Sequence, residues 1–359
     1  MIFLYLIFFA SCSKKNTGKE VEISGFTMGT TYRVKVTIEE SGVDLDELKS
    51  KIDKRLDEIN KSMSTYDYMS EISRFNRTTD TTKFFQISED FYEVMLKSKE
   101  LYDLTHGAWD GTVNPLVDLW GFGQSEKPRD IPSDKEIDSL LSVTGFDHIE
   151  ISESGLKKRN PDISIDLSSI AKGYGVDQAA ELLDNLGFES HLVEIGGEVY
   201  ASGMKKDGTP WRVGVDQPDK DTRIREIYAV IQLSDQAVAT SGDYRNYFEL
   251  EGEVRQYSHI IDPKKGRPVD NGIAGVSVIA DNCAFADGLA TAIMVAGVER
   301  SLELVNNLEN VECVIIKADE KNRFKGFYSD GFQAFMHPNS PPIRAQERLP
   351  RFAPDPESE

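Results

Sequence analysis

The sequence predicts an α+β fold with mixed, largely antiparallel sheets. Period-two alternation marks several short strands. At 31–38, Tyr32, Val34, Val36 and Ile38 alternate with Thr31, Arg33, Lys35 and Thr37. Steps of three and four mark amphipathic helices, as in Leu45, Leu48, Ile52, Leu56, Ile59 and Met63. The two kinds of segment do not alternate regularly, which argues against a parallel doubly wound sheet. With 359 residues, 39% of them hydrophobic, the chain is long enough to bury a core in one large domain or two smaller ones.

The chain begins MIFLYLIFFA, then Ser11 and Cys12, then the polar SKKNTGKE. That apolar run is too short to span a bilayer and matches the h-region of a signal peptide. Small residues before a cysteine resemble a bacterial lipoprotein signal, in which Cys12 becomes the first residue and carries lipid. Phe9 stands where Leu is usual and no basic residue precedes the run, so an ordinary cleaved signal or a start other than Met1 stays open. A lipid on Cys12 predicts a membrane-tethered protein on the extracytoplasmic side, with 13–24 as linker. Asp44 is the expected N-cap of a helix at 45–63. Further helices are expected at 88–104, 168–186, 284–296 and 299–307. Strands are expected at 191–201, 211–215, 227–233, 275–280 and 311–317. The main domain is taken as 25–337, and the Pro-, Arg- and Glu-rich 338–359 as a disordered tail.

A net charge of −20 disfavours nucleic acid and anionic lipid as partners, because both would be repelled. It also means that any site for a phosphate must be made positive locally, by a metal, a helix N-terminus or a placed cation. The three cysteines form no CxxC. Cys283 and Cys313, in apolar surroundings, read as buried free thiols.

Two segments carry the chemistry. IDLSSIAKGYGVD at 165–177 holds Asp166, two serines that open a helix, and Lys172 one turn in. A helix N-terminus favours phosphate, Lys172 would neutralise a further oxygen, and Gly173 and Gly175 permit close approach. The bland alternative is a capped helix with Asp166 in a turn and Lys172 in solvent. The second segment, 259–291, contains HIIDPKKGRPV and ADGLAT. Asp287 and Thr291, four apart, share a helix face and offer two hard oxygens suited to Mg²⁺. By spacing alone, Asp287 as a cap and Thr291 as core is the commoner outcome. His259, before the rigid turn of Pro263, Gly266 and Pro268, is placed to act as a base; a structural histidine is its commoner fate.

Aromatic and thioether side chains would form the organic half of a site: Met28 in MGTTY, Tyr66 in STYD, and Trp109, Trp120 and Phe122 amid glycines in GAWDGTVNPLVDLWGFG. For any one of them, core filling is the bland alternative. The glycine pair in EIGGEVYASG predicts a bulge or close backbone approach. TSGDYRNY offers Arg245 as a phosphate contact.

MGT, STYD, GAWD with NPL, IDLSSIAKGYGVD, EIGGE, TSGDY, HIIDP and ADGLAT occur in the order found in ApbE-type FAD:protein FMN transferases, and the chain resembles that family from about Gly25 to Asp330. The resemblance implies FAD contacts at Met28, Tyr66, Ala108, Trp109, Asp110, Asp166, Lys172 and Ile261. It implies Mg²⁺ ligands at Ser169, through its carbonyl, Asp287 and Thr291, and a catalytic base at His259. The implied reaction moves FMN from FAD to a threonine of an acceptor protein, such as a subunit of a membrane electron-transfer complex, and releases AMP. Two alternatives keep the same residues: an FAD pyrophosphatase using water, and a flavin-binding lipoprotein without turnover.

Overall fold

The computed structural model describes residues 18–38, 42–123, 129–219, 226–243, 247–249, 256–319 and 323–341. Its centre is an eight-stranded sheet built from β1 (Lys19–Thr27), β2 (Thr30–Ile38), β3 (His191–Ile195), β4 (Glu198–Ser202), β5 (Gln236–Gly242), β6 (Ile273–Ala280), β7 (Glu312–Ala318) and β8 (Phe324–Tyr328). These strands lie side by side in chain order and every pairing is antiparallel. The sheet is a meander into which helices and hairpins are inserted, as the α+β expectation requires.

Both faces of the sheet are covered. On β7, Cys313 and Ile315 join the large core beneath the helices, while Val314 and Ile316 join a second cluster on the opposite face. That second face packs against a hairpin of Trp211–Asp216 and Ile227–Leu233, with Trp211, Ile231 and Leu233 buried. Period-two alternation thus feeds two cores at once.

The helical layer contains α1 (Leu45–Met63), α2 (Glu71–Arg77), α3 (Glu89–Leu104), α4 (Asn114–Leu119), α5 (Asp134–Leu141), α6 (Ser168–Asn185), α7 (Cys283–Ala296) and α8 (Val298–Val305). Asp44 caps α1 as expected, accepting from the Asp46 and Glu47 amides. Leu48, Ile52, Leu56, Ile59 and Met63 are buried, each contributing roughly 1.5–3 kcal/mol over exposure, whereas Leu45 at the end of the stripe is exposed. No helix among the described residues is long and apolar enough to cross a membrane. Cys283 and Cys313 are buried free thiols.

Several boundaries differ from expectation. The linker assigned to 13–24 is strand from Lys19 onward, because β1 finds a full-length partner in β2. The run 191–201 is two strands, since Gly196 and Gly197, at φ 63° and 111°, turn the chain into a hairpin rather than bulging one strand. Ile163 and Ile165, in the segment leading into α6, are buried, and Asn76 of α2 clamps this segment by bonding both the N–H and the C=O of Ile165. The start of the expected tail is tied down, the Ser340 hydroxyl accepting from the Val230 amide. The N-terminal signal with Cys12, Arg245 and 342–359 lie outside the described residues.

Candidate active site

Helices α6 and α7 cross in close contact because Gly173 has no side chain. A Cβ there would lie 2.3 Å from the Cys283 carbonyl oxygen. Asp177, also on α6, accepts hydrogen bonds from the Cys283 and Ala284 amides at 2.7 and 2.9 Å, and Asn282 accepts from Phe285 N–H. The N-terminal amides of α7 are thus satisfied without Asp287, which lies further into the helix and is 2% exposed. This removes the capping alternative for Asp287. Burial raises the Asp177 carboxyl to about 7, against the pull of the two amides.

Asp287 Oδ2 accepts from the Gly173 amide at 3.1 Å. In helical geometry that same amide faces the carbonyl of Ser169, four residues earlier. One N–H therefore sits beside the Asp287 carboxylate and the Ser169 carbonyl. Thr291, one turn beyond Asp287 on the same helix, has its hydroxyl 3.1 Å from that of Ser241 on β5. A carboxylate, a hydroxyl and a carbonyl are all hard oxygen donors, and a carbonyl engaged by one N–H keeps a second lone pair. This donor set fits Mg²⁺, which retains several waters and needs few protein ligands.

Lys172 departs from expectation. Its ammonium donates to Glu198 Oε1 at 2.8 Å and lies 3.5 Å from Asp287 Oδ2. Burial pulls its pKa down, but the two carboxylates outweigh burial and hold the amine charged. Lys172 is therefore paired, not a free cation for phosphate. Burial also pushes Glu198 up to about 7, against Lys172.

The N-cap position of α6 is Leu167, which has no capping side chain, and Asp166 Oδ1 takes the Ser168 amide at 2.7 Å. The Ile170 and Ala171 amides bond to the Leu167 carbonyl, so of the first-turn amides the Ser169 N–H is the one for which the described residues supply no acceptor, and it is the donor left for an anion. Trp109 is 1% exposed, packs on Phe146, and donates its indole N–H to the Ser169 hydroxyl at 3.0 Å. Ala108 precedes it at the edge of the core. Asp110 is 7% exposed and accepts from the Thr112 amide and hydroxyl at 2.8 and 2.6 Å. Burial raises its carboxyl to about 6 despite those bonds. The Asp166 amide donates to the Gly111 carbonyl, joining this loop to α6.

Met28 occupies the β1–β2 turn with φ 49°, and its methyl packs over the bare backbone of Gly175. Tyr66, in the α1–α2 turn, is 86% exposed, so it is not core filling. Trp120 is core, with its N–H on the Gly266 carbonyl. Ile261 lies in a short hairpin, paired with Pro268, in a satellite cluster with Leu116, Trp120, Ile137 and Tyr257. His259 lies just before it, its ring edge-on to Phe122 with centroids 6.3 Å apart.

The structure thus joins Trp109, Ser169, Lys172 and Asp287 through contacts, and Met28 to the same helix. It adds three residues to which the sequence reading gave no role. Asp177 and Glu198 are legible only as polar ends of the glycine motifs, and Ser241 as part of a turn.

Known proteins resemble this chain over most of its length. The model of the ApbE family matches residues 28–315. The chain is 43% identical over 331 residues to an FAD:protein FMN transferase of Vibrio cholerae, covering 92% of this chain and 96% of that protein. A protein of the same name from Escherichia coli K12 is 35% identical over 344 residues, with 92% and 95% coverage. Among solved structures, the flavin transferase ApbE of Vibrio cholerae superposes with a TM-score of 0.79 at 41% identity, covering 89% of this chain and 99% of that one. The Pseudomonas stutzeri flavinyl transferase ApbE, in its apo form, gives 0.79 at 34% identity, with 89% and 97% coverage. On sequence, fold and the order of its motifs, the chain belongs to the ApbE family.

Proposed function

We propose that the protein transfers FMN from FAD to a threonine hydroxyl of an acceptor protein, in an Mg²⁺-dependent reaction that releases AMP. Flavin transfer is the named activity of its relatives. The observation that supports a metal-assisted site is the meeting of Asp287 with the first turn of α6 through the Gly173 amide. Ser169, Asp287 and Thr291 would hold Mg²⁺, which when bound supplies Lewis-acid charge for a diphosphate.

The chain's own residues do the rest. The start of α6 offers the Ser169 amide to a phosphate oxygen, and Trp109 anchors that turn through the Ser169 hydroxyl. Met28 and the exposed Tyr66 offer faces for flat rings. His259 takes the threonine proton as the threonine oxygen bonds to the FMN-side phosphorus. The bond from that phosphorus to the bridging oxygen breaks, and AMP departs with the oxygen.

The test uses the protein from Ser13 onward with FAD, Mg²⁺ and a small protein bearing a threonine motif. The expected result is an acceptor heavier by FMN with equimolar AMP. AMP and free FMN beside an unmodified acceptor would support hydrolysis instead. Absence of AMP would refute turnover. A lipid on Cys12 would hold the enzyme at an extracytoplasmic membrane surface, beside acceptors in membrane electron-transfer complexes. Loss of membrane fractionation in Cys12→Ser would support that placement, and unchanged fractionation would refute it.

A further inference from the structure

Glu198 is the least satisfied charged group beside this site. It opens β4 directly after the Gly196–Gly197 turn and is 3% exposed. Oε1 takes the Lys172 ammonium at 2.8 Å, while Oε2 is buried without a hydrogen-bond partner. A buried carboxylate oxygen with no donor is costly and uncommon in folded proteins.

The surroundings of Oε2 are specific. A Cβ on Gly196 would stand 2.9 Å from Thr30 Cγ2, 3.4 Å from Thr30 Oγ1 and 3.5 Å from Oε2. Glycine leaves that space without a side chain. Thr30 begins β2 immediately after the Met28–Gly29 turn, and a Cβ on Gly175 would lie 3.3 Å from both Met28 Sδ and Ile195 Cδ1. Oε2 thus shares the space over Gly196 with Thr30, the residue that follows the Met28–Gly29 turn.

We propose that Glu198 is a substrate-binding residue whose Oε2 accepts an O–H or N–H donor from bound FAD, with Lys172 as its counter-ion. The assignment rests on the flavin-transfer reading and adds to it a donor-specific contact. Phosphate oxygens of a diphosphate are acceptors, so the matching group lies outside the diphosphate. Ribityl hydroxyls and the ring imide N–H supply it in the flavin half; ribose hydroxyls and the amino group supply it in the adenosine half. Lys172, 2.8 Å from Glu198 and 3.5 Å from Asp287, supplies a positive charge beside the carboxylate.

The experiment compares wild type with Glu198→Gln, which keeps the shape but places an NH₂ group where the acceptor was. FAD, FMN and AMP are each titrated calorimetrically with Mg²⁺ present. The expected result is FAD binding weakened by about tenfold to a hundredfold, matched by FMN or by AMP but not by both. The affected half identifies the donor. Unchanged FAD affinity overturns the proposal. Equal weakening of FMN and AMP overturns it as well, since that reports a general change in the pocket. If Glu198→Gln does not fold, the same titrations are read in Glu198→Gln/Lys172→Met, which removes both members of the pair. Wild type that binds FAD without releasing AMP would refute the transfer reading and leave the binding comparison intact.

Discussion

Replacing Gly173 with alanine sets two effects of opposite sign against each other. In a helix interior, Gly→Ala alone gains roughly 0.5–1 kcal/mol. Here the new Cβ would meet the Cys283 carbonyl oxygen at 2.3 Å, the Cys283 carbonyl carbon at 2.6 Å and Ala284 Cα at 2.8 Å. All three are backbone atoms of α7 and cannot rotate away. Restoring an ordinary 3.4 Å contact to the oxygen needs α6 and α7 to part by 3.4 − 2.3 = 1.1 Å. Overpacking of this kind costs about 1–3 kcal/mol, which exceeds the propensity gain. Parting also stretches the Gly173 amide from Asp287 and separates the oxygens on the two helices. A misplacement of about 1 Å can cost on the order of 100-fold in rate. Gly288→Ala is the control. Its Cβ also meets an atom at 2.3 Å, but that atom is the Leu101 Cδ1 methyl, which can rotate. Urea unfolding and AMP release should show Gly173→Ala destabilised and at least about tenfold slower. Gly288→Ala should stay within about 1 kcal/mol of wild type. A Gly173→Ala protein as stable and active as wild type would refute the helix-contact account.

Asp287→Asn keeps an oxygen for the Gly173 amide and removes the charge; AMP release should fall at least about 100-fold, and full activity in this variant or in EDTA would refute the metal ligand. His259→Ala should retain FAD affinity in a titration while losing flavin transfer, and unchanged turnover would remove the base role. Asp177 gives a pH dependence. Its carboxyl is raised to about 7 in the folded state from 3.8, so the native protein holds the extra proton between those values. Stability should therefore fall as pH rises from about 4 to about 7, by at most about 4 kcal/mol from this group. Asp110 and Glu198 are raised too and push the same way. Urea midpoints from pH 5 to 8 should show the decline, and Asp177→Asn should show less of it; an unchanged slope would refute the assignment.

The parts of this protein that depend on short-range pattern were legible in the chain. The α1 stripe and its Asp44 cap follow from spacing and side-chain chemistry, and the i, i+4 relation of Asp287 and Thr291 follows from helical pitch. The order of the short motifs pointed to the family, and one of their glycines, Gly173, fixes a backbone contact that no other residue permits. Partnership was not legible. Nothing local says that Lys172 pairs with Glu198, 26 residues on, or that Asp177 caps α7, 106 residues on. Nor does it say that Asn76 holds the segment leading into α6. The Gly196–Gly197 pair is compatible with a bulge until β3 and β4 are seen to pair across it. By itself the sequence determined the fold class, the main helices and the chemical types in the site, since these depend on periodicity and residue identity. Only the tertiary structure decided that Lys172 is spent on two carboxylates and that Glu198 keeps one oxygen unpaired, because pairing of buried charges depends on which elements the sheet meander brings together.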